Sequence, residues 1–426
     1  MICDYYMEIL PNKAEIKVNV SSEIGRLNAV LLHRPGIEIE RMTPQNASEA
    51  LYSDILSKQI VDQEYANFCG VFEKCTKVYY VKDVLQWILE NDDLCYSLVT
   101  QSCHAEGADY LVDELMQHDA ATLATELIEG FPYRKGIDPE SFEQRRFVLR
   151  PLYNLFFTRD ASSSMYDRVL INSMSFDVRV RENLIFKAIF KHYFKAPIFN
   201  AREWHPSART EGGDVQIGRP DLLCIGQGIR TNAKGIEFLV DEFKGRPKFN
   251  IIVQELPMHP ESFIHLDMVY TFLDRDRCMM YKPMLDKTYE FASKSTIWIE
   301  IDNGKVRKHD CRNMLEALKK VGMEMEPVFC GGDDVWVQQR EQWHSGANFF
   351  SLAPGKVIGY RRNIHTIEAL DKAGFSVLAA EDVSNGTVNI DDYNRCVVTF
   401  PASELPRAGG GARCMTMPVN RDEVFL

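Results

Sequence analysis

Five stretches of the sequence decide the fold, because they share one pattern: a polar residue, a short semi-apolar strand, a tight turn and a second strand. They are RDASSSMYDRVLINSMS (159–175), GDVQIGRPDLLCIGQG (213–228), LDMVYTFLDRDRCMMYKP (266–283), ANFFSLAPGKVIGY (347–360) and CMTMPVNRDEVFL (414–426). The spacing leaves room for a helix and another strand between consecutive units. Strand–turn–strand patterns also recur by chance in α/β proteins, so the repeat has a simpler alternative explanation.

The polar residue that leads each unit predicts where a site would form. These residues are Asp160, Asp214, Asp267, Asn348 and Cys414. One such unit cannot bury an apolar face by itself, but units stacked around an axis can. We therefore predict an α/β fold built as a pseudo-five-fold ring of ββαβ modules. Equivalent strand ends would meet near its centre and bring the five leading residues together.

The chain between residues 76 and 145 has a different texture. Apolar residues recur at helical spacing in 84–89 and 111–116, and the segment 120–128 follows Asp119, a plausible N-cap. We predict an inserted α-helical domain over residues 76–145. Residues 1–75 and 146–426 would form the five-module catalytic domain, with a first strand over 27–33.

Composition excludes several classes of protein. The 426 residues include 49 basic and 61 acidic side chains, a net charge of −12, whereas a nucleic-acid-binding surface needs a basic face. Eleven cysteines lie at irregular spacings without a CxxC pair, so neither a zinc ribbon nor a disulfide framework is indicated. No stretch approaches the ~20 apolar residues of a membrane span, and residues 1–13 lack the features of a secretory leader. We expect a cytoplasmic globular protein with neither a nucleic-acid nor a membrane partner.

Cys414 is the first candidate for chemistry. It follows the glycine run 409–411 and Arg413. Glycines let a backbone approach a ligand or move as a lid, and a neighbouring arginine favours the reactive thiolate. The alternative is a small buried hydrophobic residue, which is the interpretation we prefer for the other ten cysteines.

Acidic residues and one histidine supply the other candidates. On an extended strand His265 and Asp267 would share a face and place a proton carrier beside an anion, although structural His–Asp pairs are equally common. Glu211 and Asp214 flank two glycines that permit a tight bend. Such carboxylates perform acid–base work, hold a cation or bind metal. Metal is the least favoured use, because no HExxH or Asp-rich loop is present. Asp160 leads the first unit.

One thiol, one histidine and several carboxylates fit chemistry on a guanidinium ion. Two carboxylates can grip its planar fork of donors through bidentate hydrogen bonds. A thiolate can then attack the central carbon while histidine protonates the departing amine. No metal and no other cofactor is predicted.

Six motifs occur in an order that resembles the arginine deiminase family of guanidino-group-modifying enzymes, over nearly the whole chain. They are GRLNAVLLHRPG (25–36), NLFFTRD (154–160), EGGD (211–214), HLDMVYT (265–271), REQWHSGANFFSLAPGKVIGYRRN (340–363) and RCMTMP (413–418). The resemblance implies the pentein fold, a five-module ββαβ propeller with a helical domain inserted after the first module. It also implies hydrolysis of L-arginine to L-citrulline and ammonia through a covalent amidino-cysteine intermediate.

The resemblance implies a role for each matching residue. Cys414 corresponds to the nucleophile, and His265 to the group that protonates ammonia and then activates water. Asp160 and Asp267 correspond to the carboxylates that hold the guanidinium, with Glu211 as their acidic partner.

A second set is assigned to substrate binding. The members of this set are Asn154, Arg179 and Arg230, where the family binds the α-carboxylate, together with Asp214 and Arg407. For Arg179 and Arg230, ordinary surface ion pairs are the alternative interpretation.

One position departs from the family pattern. The family usually has a gate arginine five residues before the nucleophile, where this chain has Gly409. Arg407 lies seven residues before Cys414. Either Arg407 takes the gate role after a small loop shift, or the gate works differently.

Other functions remain open at this point. The same chemistry could transfer the amidino group to an amine or deiminate a decarboxylated guanidine, although Arg179 and Arg230 favour a substrate with an α-carboxylate. A catalytically silent propeller could bind arginine or a partner protein. Because the family is commonly dimeric or larger, we expect a homo-oligomer.

Overall fold

The strands and helices of the protein come from a computed structural model that describes residues 16–52, 54–285 and 295–424. The predictions for residues 1–13, and the last two residues of the fifth unit, lie outside these ranges. The strands are β1 (Leu27–Leu32), β2 (Lys77–Tyr80), β3 (Phe131–Pro132), β4 (Phe147–Leu149), β5 (Ser162–Met165), β6 (Arg168–Ile171), β7 (Ile198–Asn200), β8 (Val215–Arg219), β9 (Leu222–Gln227), β10 (Lys248–Glu255), β11 (Tyr270–Phe272), β12 (Arg277–Met280), β13 (Thr296–Asp302), β14 (Lys305–Cys311), β15 (Glu326–Phe329), β16 (Phe350–Ala353), β17 (Lys356–Tyr360), β18 (Ser376–Ala379), β19 (Cys396–Phe400) and β20 (Met417–Arg421). The α-helices are α1 (Lys58–Cys75), α2 (Val81–Leu89), α3 (Asp92–Glu106), α4 (Val112–Leu115), α5 (Ala120–Glu129), α6 (Val180–Ala188), α7 (Ala201–Trp204), α8 (Ala233–Phe243), α9 (Met314–Lys320), α10 (Val335–Trp343), α11 (Ile364–Lys372) and α12 (Ala380–Ser384).

The sheets repeat one arrangement, in which an antiparallel hairpin is followed by a helix and by a strand parallel to the second hairpin strand. In the first repeat β5 pairs antiparallel with β6, and β6 pairs parallel with β7. The sets β8–β9–β10, β11–β12–β15 and β16–β17–β19 have the same pairing. The predicted ββαβ unit is therefore present in a mixed α/β fold.

The fifth set joins distant parts of the chain. Strand β1 pairs parallel with β2 and antiparallel with β20, with Val30 opposite Pro418. Alternate side chains of a strand point to opposite faces. Accordingly, Ala29 and Leu31 belong to one buried cluster, whereas Val30 and Leu32 belong to another. This explains why the run LNAVLL is apolar almost throughout.

The start of each hairpin places the predicted leading residues. Each of them lies one to three residues before the first strand of its unit. Asp160 precedes β5, Asp214 precedes β8, Asp267 precedes β11, Asn348 precedes β16 and Cys414 precedes β20. The predicted second strand of the fifth unit is wrong for the described residues up to 424, because β20 pairs with β1 instead.

The helical segment packs onto the sheets. Helix α5 begins after Asp119, whose side chain accepts a hydrogen bond from the Thr122 backbone N–H at 2.8 Å, so the predicted N-cap is confirmed. The predicted boundary at residue 76 differs from the structure, because 77–80 form strand β2 and the helices begin at Val81. The division into two domains stays a prediction. Among the described helices, none combines the length and apolar character that a membrane span requires.

Leu31 tests the contact between the helices and the sheet. It is fully buried in the cluster that also contains Leu85, Leu127 and Met417. We expect Leu31→Ala to lower the free energy of unfolding by about 2–5 kcal/mol, because the change leaves a cavity. Urea denaturation measures this loss. The control is Tyr96→Ala, at a side chain that is 57% exposed, and equal stability of the two variants would contradict the packing.

Candidate active site

A cavity of about 210 Å³ lies against the thiol of Cys414. Its wall combines predicted site residues with apolar side chains from several loops. The predicted residues that line it are Asn154, Asp160, Arg179, Arg230, His265 and Cys414; other lining residues include Leu51, Tyr52, Phe157, Phe176, Met268, Trp343, Pro406, Ala408, Gly409 and Gly410. Glu211, Asp214 and Asp267 are buried but do not line it.

The thiol of Cys414 is held among hydrogen-bonding groups. Its Sγ lies 3.8 Å from Asp267 Oδ2 and accepts a hydrogen bond from Asn348 Nδ2 at 3.2 Å. Burial raises the pKa of Cys414 well above its usual value, and the negative charges of Asp267 and Asp160 raise it further. Arg413 lowers this pKa as its position predicts, but the effect is outweighed. The thiol is therefore neutral.

Arg413 is a buried link between two carboxylates. Its Nε and Nη2 donate to the two oxygens of Glu23 at 3.1 Å, and its Nη1 donates to Asp267 Oδ2 at 2.8 Å. The side chain is 1% exposed. Burial disfavours the charge of Glu23, but Arg413 and neighbouring arginines outweigh this and lower its pKa to about 2. Arg413 thus holds Asp267 beside Cys414, and its own charge is largely compensated.

His265 lies between two acids. One ring nitrogen, Nε2, is 3.0 Å from Glu211 Oε2, and the other, Nδ1, is 3.9 Å from Asp160 Oδ1. Glu211 also accepts hydrogen bonds from Arg230 Nη1 at 3.1 Å and from the Ser175 backbone at 3.0 Å. Burial disfavours the imidazolium, but Asp160 and the hydrogen bond to Glu211 outweigh it and raise the pKa of His265 to about 9. At neutral pH His265 is therefore a charged proton donor.

The backbone around His265 differs from the sequence prediction. Residues Leu266–Met268 form a 3₁₀ turn, so the prediction that His265 and Asp267 share a strand face is wrong. The turn forms because Asp214 Oδ1 accepts the Leu266 N–H at 2.9 Å, in addition to the backbone bonds of the turn itself. Asp214 is fully buried, and burial raises its pKa to about 7. Its observed contact supports the loop of His265, and its assignment to substrate binding stays a prediction.

Close contact with His265 requires the glycines of the bend at residues 211–214. Gly212–Asp214 form a 3₁₀ turn, which confirms the predicted bend. A Cβ on Gly213 would lie 2.4 Å from Nδ1 of His265. Only glycine therefore fits between this strand start and the imidazole.

Arg179 and Arg230 occupy different electrostatic situations. Arg179 donates to both oxygens of Glu182, at 3.0 and 2.8 Å, and to Asp160 Oδ2 at 2.6 Å. Arg230 donates to Glu211 and stacks 4.7 Å from the centre of the Phe176 ring. Its Nε has no hydrogen-bond partner within the described part of the chain, and neither has Asp160 Oδ1. Unpaired buried polar atoms are costly, and both side chains line the cavity, so its charges suit a ligand with a donor near Asp160 and an acceptor near Arg230.

Asn154 completes this wall. Its side-chain Nδ2 donates to the Ala50 backbone carbonyl at 2.8 Å, and the backbone carbonyl of Asn154 accepts a hydrogen bond from Arg179 Nη2 at 3.4 Å. It therefore fixes the loop around residue 50 to the arginine side of the cavity.

Arg407 lies outside the cavity wall. Its guanidinium binds Asp54 and also Glu404, the latter at 2.6 Å. Gly409 does line the cavity, with a left-handed φ of 87°. Contact between Arg407 and a substrate stays a prediction, and it requires the ion pair with Asp54 to break.

Sequence reasoning missed three residues that build the site. Asn348 led the fourth repeat unit but received no role; its Oδ1 accepts the backbone N–H of Arg413 at 2.8 Å, and its Nδ2 donates to the Asp267 carbonyl at 3.2 Å. Its repeat position was the available signal. Glu23 and Glu182 had no such signal, because only tertiary contacts place them beside Arg413 and Arg179.

A metal site requires several donor side chains that converge on one point. Within residues 16–52, 54–285 and 295–424 there is no group of three or more His, Cys, Asp or Glu side chains with metal-binding geometry. The expected absence of a cofactor stays a prediction.

Comparison with known proteins identifies the class and then the family. Two solved structures share the pentein-type mixed α/β fold. One is the N-terminal domain of ArgZ, an arginine dihydrolase of Cyanobacteria bound to product, with a TM-score of 0.52 and 12% identity, covering 92% of this chain and 97% of that one. The other is SxtG, an amidinotransferase from Microseira wollei, with a TM-score of 0.50 and 14% identity, covering 96% and 98%.

The family follows from the sequence match. The arginine deiminase family model matches residues 48–421, so the chain belongs to the arginine deiminase family. The arginine deiminase of Mycoplasma capricolum subsp. capricolum is 31% identical over 431 residues, covering 96% of this chain and 98% of that protein.

Asn348 provides a test of the site that does not depend on turnover. We expect Asn348→Ala to raise the pKa of Cys414 further, because a hydrogen bond that favours the thiolate is lost. The pH dependence of Cys414 alkylation by iodoacetamide, followed by peptide mass spectrometry, measures this shift. The control is Asn303→Ala, at an exposed turn on another sheet. An identical alkylation profile in wild type and Asn348→Ala would contradict the role.

Proposed function

We propose that the protein hydrolyses L-arginine to L-citrulline and ammonia through a covalent intermediate on Cys414. One observation carries this proposal: the cavity beside the thiol is lined both by the carboxylate of Asp160 and by the guanidinium of Arg230, and each has a buried atom, Oδ1 and Nε, without a hydrogen-bond partner among the described residues. A substrate with a cationic guanidinium at one end and a carboxylate at the other satisfies both. Membership of the arginine deiminase family supports the same substrate.

Substrate binding activates the nucleophile. The guanidinium binds Asp160 at the cavity wall and lies against the Cys414 thiol, and Asp267 is buried 3.8 Å from the sulfur. Both carboxylates otherwise raise the pKa of the thiol. A cation at that place offsets their charge and adds its own, so the pKa of Cys414 falls and the thiol releases its proton. At the other end, the α-carboxylate is bound by Arg230 and Asn154. Arg179 is already held by Glu182 and Asp160, so its contribution is mainly to position Asp160.

The first half-reaction forms the covalent intermediate. The Cys414 thiolate attacks the guanidinium carbon and a C–S bond forms. His265, protonated at neutral pH, gives its proton to the departing nitrogen, the C–N bond breaks and ammonia leaves. The product is an amidino-thioether on Cys414 beside a neutral His265.

The second half-reaction returns the enzyme to its starting state. Neutral His265 takes a proton from water while the oxygen attacks the same carbon. The C–S bond then breaks while the hydroxyl proton of the intermediate passes to the departing sulfur, so neutral citrulline is released and the Cys414 thiol is restored. Glu211 keeps His265 oriented in both steps through its hydrogen bond to Nε2. These steps need no metal and no cofactor.

The fold proposal goes beyond the shared α/β class. We propose that the repeated ββαβ sets close into a five-module propeller, with the helices after β2 as an inserted domain. The pairing of β20 with β1 supports closure, because it joins the last unit to the first strand. A cytoplasmic location and a homo-oligomer remain predictions.

Transfer of the amidino group to an amine is the rival function. It uses the same intermediate, and the amidinotransferase SxtG shares the fold. A citrulline and ammonia assay with arginine alone separates the two, since turnover only after addition of an amine would indicate a transferase. Turnover of agmatine in preference to arginine would indicate a substrate without an α-carboxylate, and binding without turnover a silent propeller.

Cys414→Ala tests the nucleophile. We expect no detectable citrulline, because no other group can form the covalent bond, while the protein remains folded and binds arginine. A colorimetric citrulline assay and calorimetric titration measure the two properties. Cys330→Ala is the control, since this buried thiol lies outside the cavity. Full activity of Cys414→Ala would exclude the mechanism.

Glu211→Gln tests the proton donor. The pKa of His265 is raised to about 9, and the donor must be protonated, so kcat/KM should fall as pH rises through that value. Loss of the Glu211 charge and acceptor should lower the pKa of His265 and move this alkaline limb to lower pH. The pH profile of kcat/KM measures the shift, with the exposed Glu237→Gln as control. An unmoved limb would show that His265 is not the titrating donor.

A further inference from the structure

The segment 403–411 directly precedes the nucleophile and forms part of the cavity wall. Pro406, Ala408, Gly409 and Gly410 line the cavity from this segment, which we name the nucleophile loop. Its path therefore decides both the width of the cavity and the position of Cys414. Gly409 and Gly410 contribute no side chain, so the path of the backbone defines this part of the wall.

A carboxylate from a distant helix holds the start of the nucleophile loop. Glu64 lies on α1 and is 4% exposed. Its two oxygens accept hydrogen bonds from three consecutive backbone N–H groups: from Ser403, from Glu404 at 3.2 and 3.1 Å, and from Leu405 at 3.0 Å. The hydroxyl of Ser403 adds a further bond at 2.7 Å.

These bonds replace a local N-cap. The 3₁₀ helix Leu405–Ala408 begins at the same point, and its N-cap residue Glu404 provides no side-chain cap of its own. The Glu404 carboxylate is engaged elsewhere, accepting from the Ser57 backbone N–H at 2.8 Å and from Arg407. The N–H groups at the start of a helix favour a nearby anion. Glu64 supplies this negative charge although it lies 339 residues before Ser403 in the sequence.

Aromatic packing holds helix α1, which carries Glu64, and a hydrogen bond holds the other end of the nucleophile loop. On α1, Phe68 packs against Phe400 with ring centres 5.1 Å apart, and Phe72 packs against Phe350 at 5.6 Å. At the far end Tyr360 donates its hydroxyl to the Gly410 carbonyl at 2.8 Å. The loop is thus bound by buried groups at both ends, whereas its middle is held by the partly exposed pair of Arg407 with Asp54.

We propose that Glu64 is a positioning residue for the proposed reaction: by capping residues 403–405 it fixes the nucleophile loop across the cavity and sets the affinity for arginine. This role requires a carboxylate. Both oxygens of Glu64 accept hydrogen bonds from backbone N–H groups, whereas the side-chain amide of glutamine would direct its own N–H groups towards some of these backbone donors. The effect is carried through the loop, since Glu64 does not line the cavity.

Glu64→Gln is the test, with Asp62→Asn as the matched control. Asp62 lies on the same helix, is 49% exposed and pairs only with Lys58 among the described residues. We expect Glu64→Gln to raise KM for arginine about tenfold or more, with a smaller change in kcat. Hydrogen exchange of the 403–405 amides should accelerate, and both quantities should be unchanged in Asp62→Asn.

Ser403→Ala keeps the proposal testable if Glu64→Gln does not fold. It removes only the hydroxyl donor to Glu64, and a smaller rise in KM with faster local exchange is expected. A lower melting temperature with unchanged KM and unchanged exchange at 403–405 would overturn the proposal.

Affinity measured without turnover separates this proposal from the proposed function. In the Cys414→Ala background, calorimetry should give weaker arginine binding when Glu64→Gln is added. If the wild type makes no citrulline, the proposed function fails, while the arginine affinity and the exchange rates still decide the role of Glu64. Equal affinity with and without Glu64→Gln overturns it.

Discussion

The paired burial of Arg413 is the interaction on which the rest of the site depends. A fully buried arginine next to the nucleophile is tolerable only with compensating charge, and Glu23 supplies it from near the start of the described chain and Asp267 from its middle. Removing one partner from such a pair typically costs about 3–5 kcal/mol, because a charge is left uncompensated. The network therefore fixes the segment around Glu23, the turn after His265 and the strand start at Cys414 in one arrangement. Arg159 and Arg421 lie in the same region, and burial together with Arg413 lowers their pKa to about 9 and about 10.

This arrangement decides how the thiol behaves. Since Arg413 is neutralised by its partners, burial and the acids near Cys414 outweigh it, and the thiol stays protonated. His265 has the opposite bias, because Asp160 and Glu211 keep it charged. The site thus combines a neutral nucleophile with a charged proton donor, and the acids around Cys414 favour a further positive charge there. In the proposed mechanism the guanidinium supplies that charge, so the substrate itself completes the electrostatic balance.

The fold prediction succeeded where local pattern and tertiary contact agree. The hairpins after Asp160 and Asp214 could be found because alternating residues, turns and a leading polar residue all lie within about 20 positions. Prediction failed where a distant partner decides the local structure. Residues 77–80 follow a helix and precede a helix, yet they form β2 because β1 offers a free edge. Likewise 266–268 became a turn instead of a strand, because the Asp214 carboxylate accepts the N–H of Leu266.

By itself the sequence determined the reactive groups and the repeat that brings them together: a thiol, a histidine and carboxylates at the starts of equivalent units. Residue type and spacing carry that information, since chemistry needs particular atoms and a ββαβ unit needs a particular period. Only the tertiary structure decided the charge states and supports of those groups. Burial and partners hundreds of residues away decide whether Cys414 is neutral and whether Glu64 holds the nucleophile loop. They also decide whether Arg413 activates the thiol or only links Glu23 to Asp267. Those quantities arise from distances in space, which the order of residues along the chain does not state.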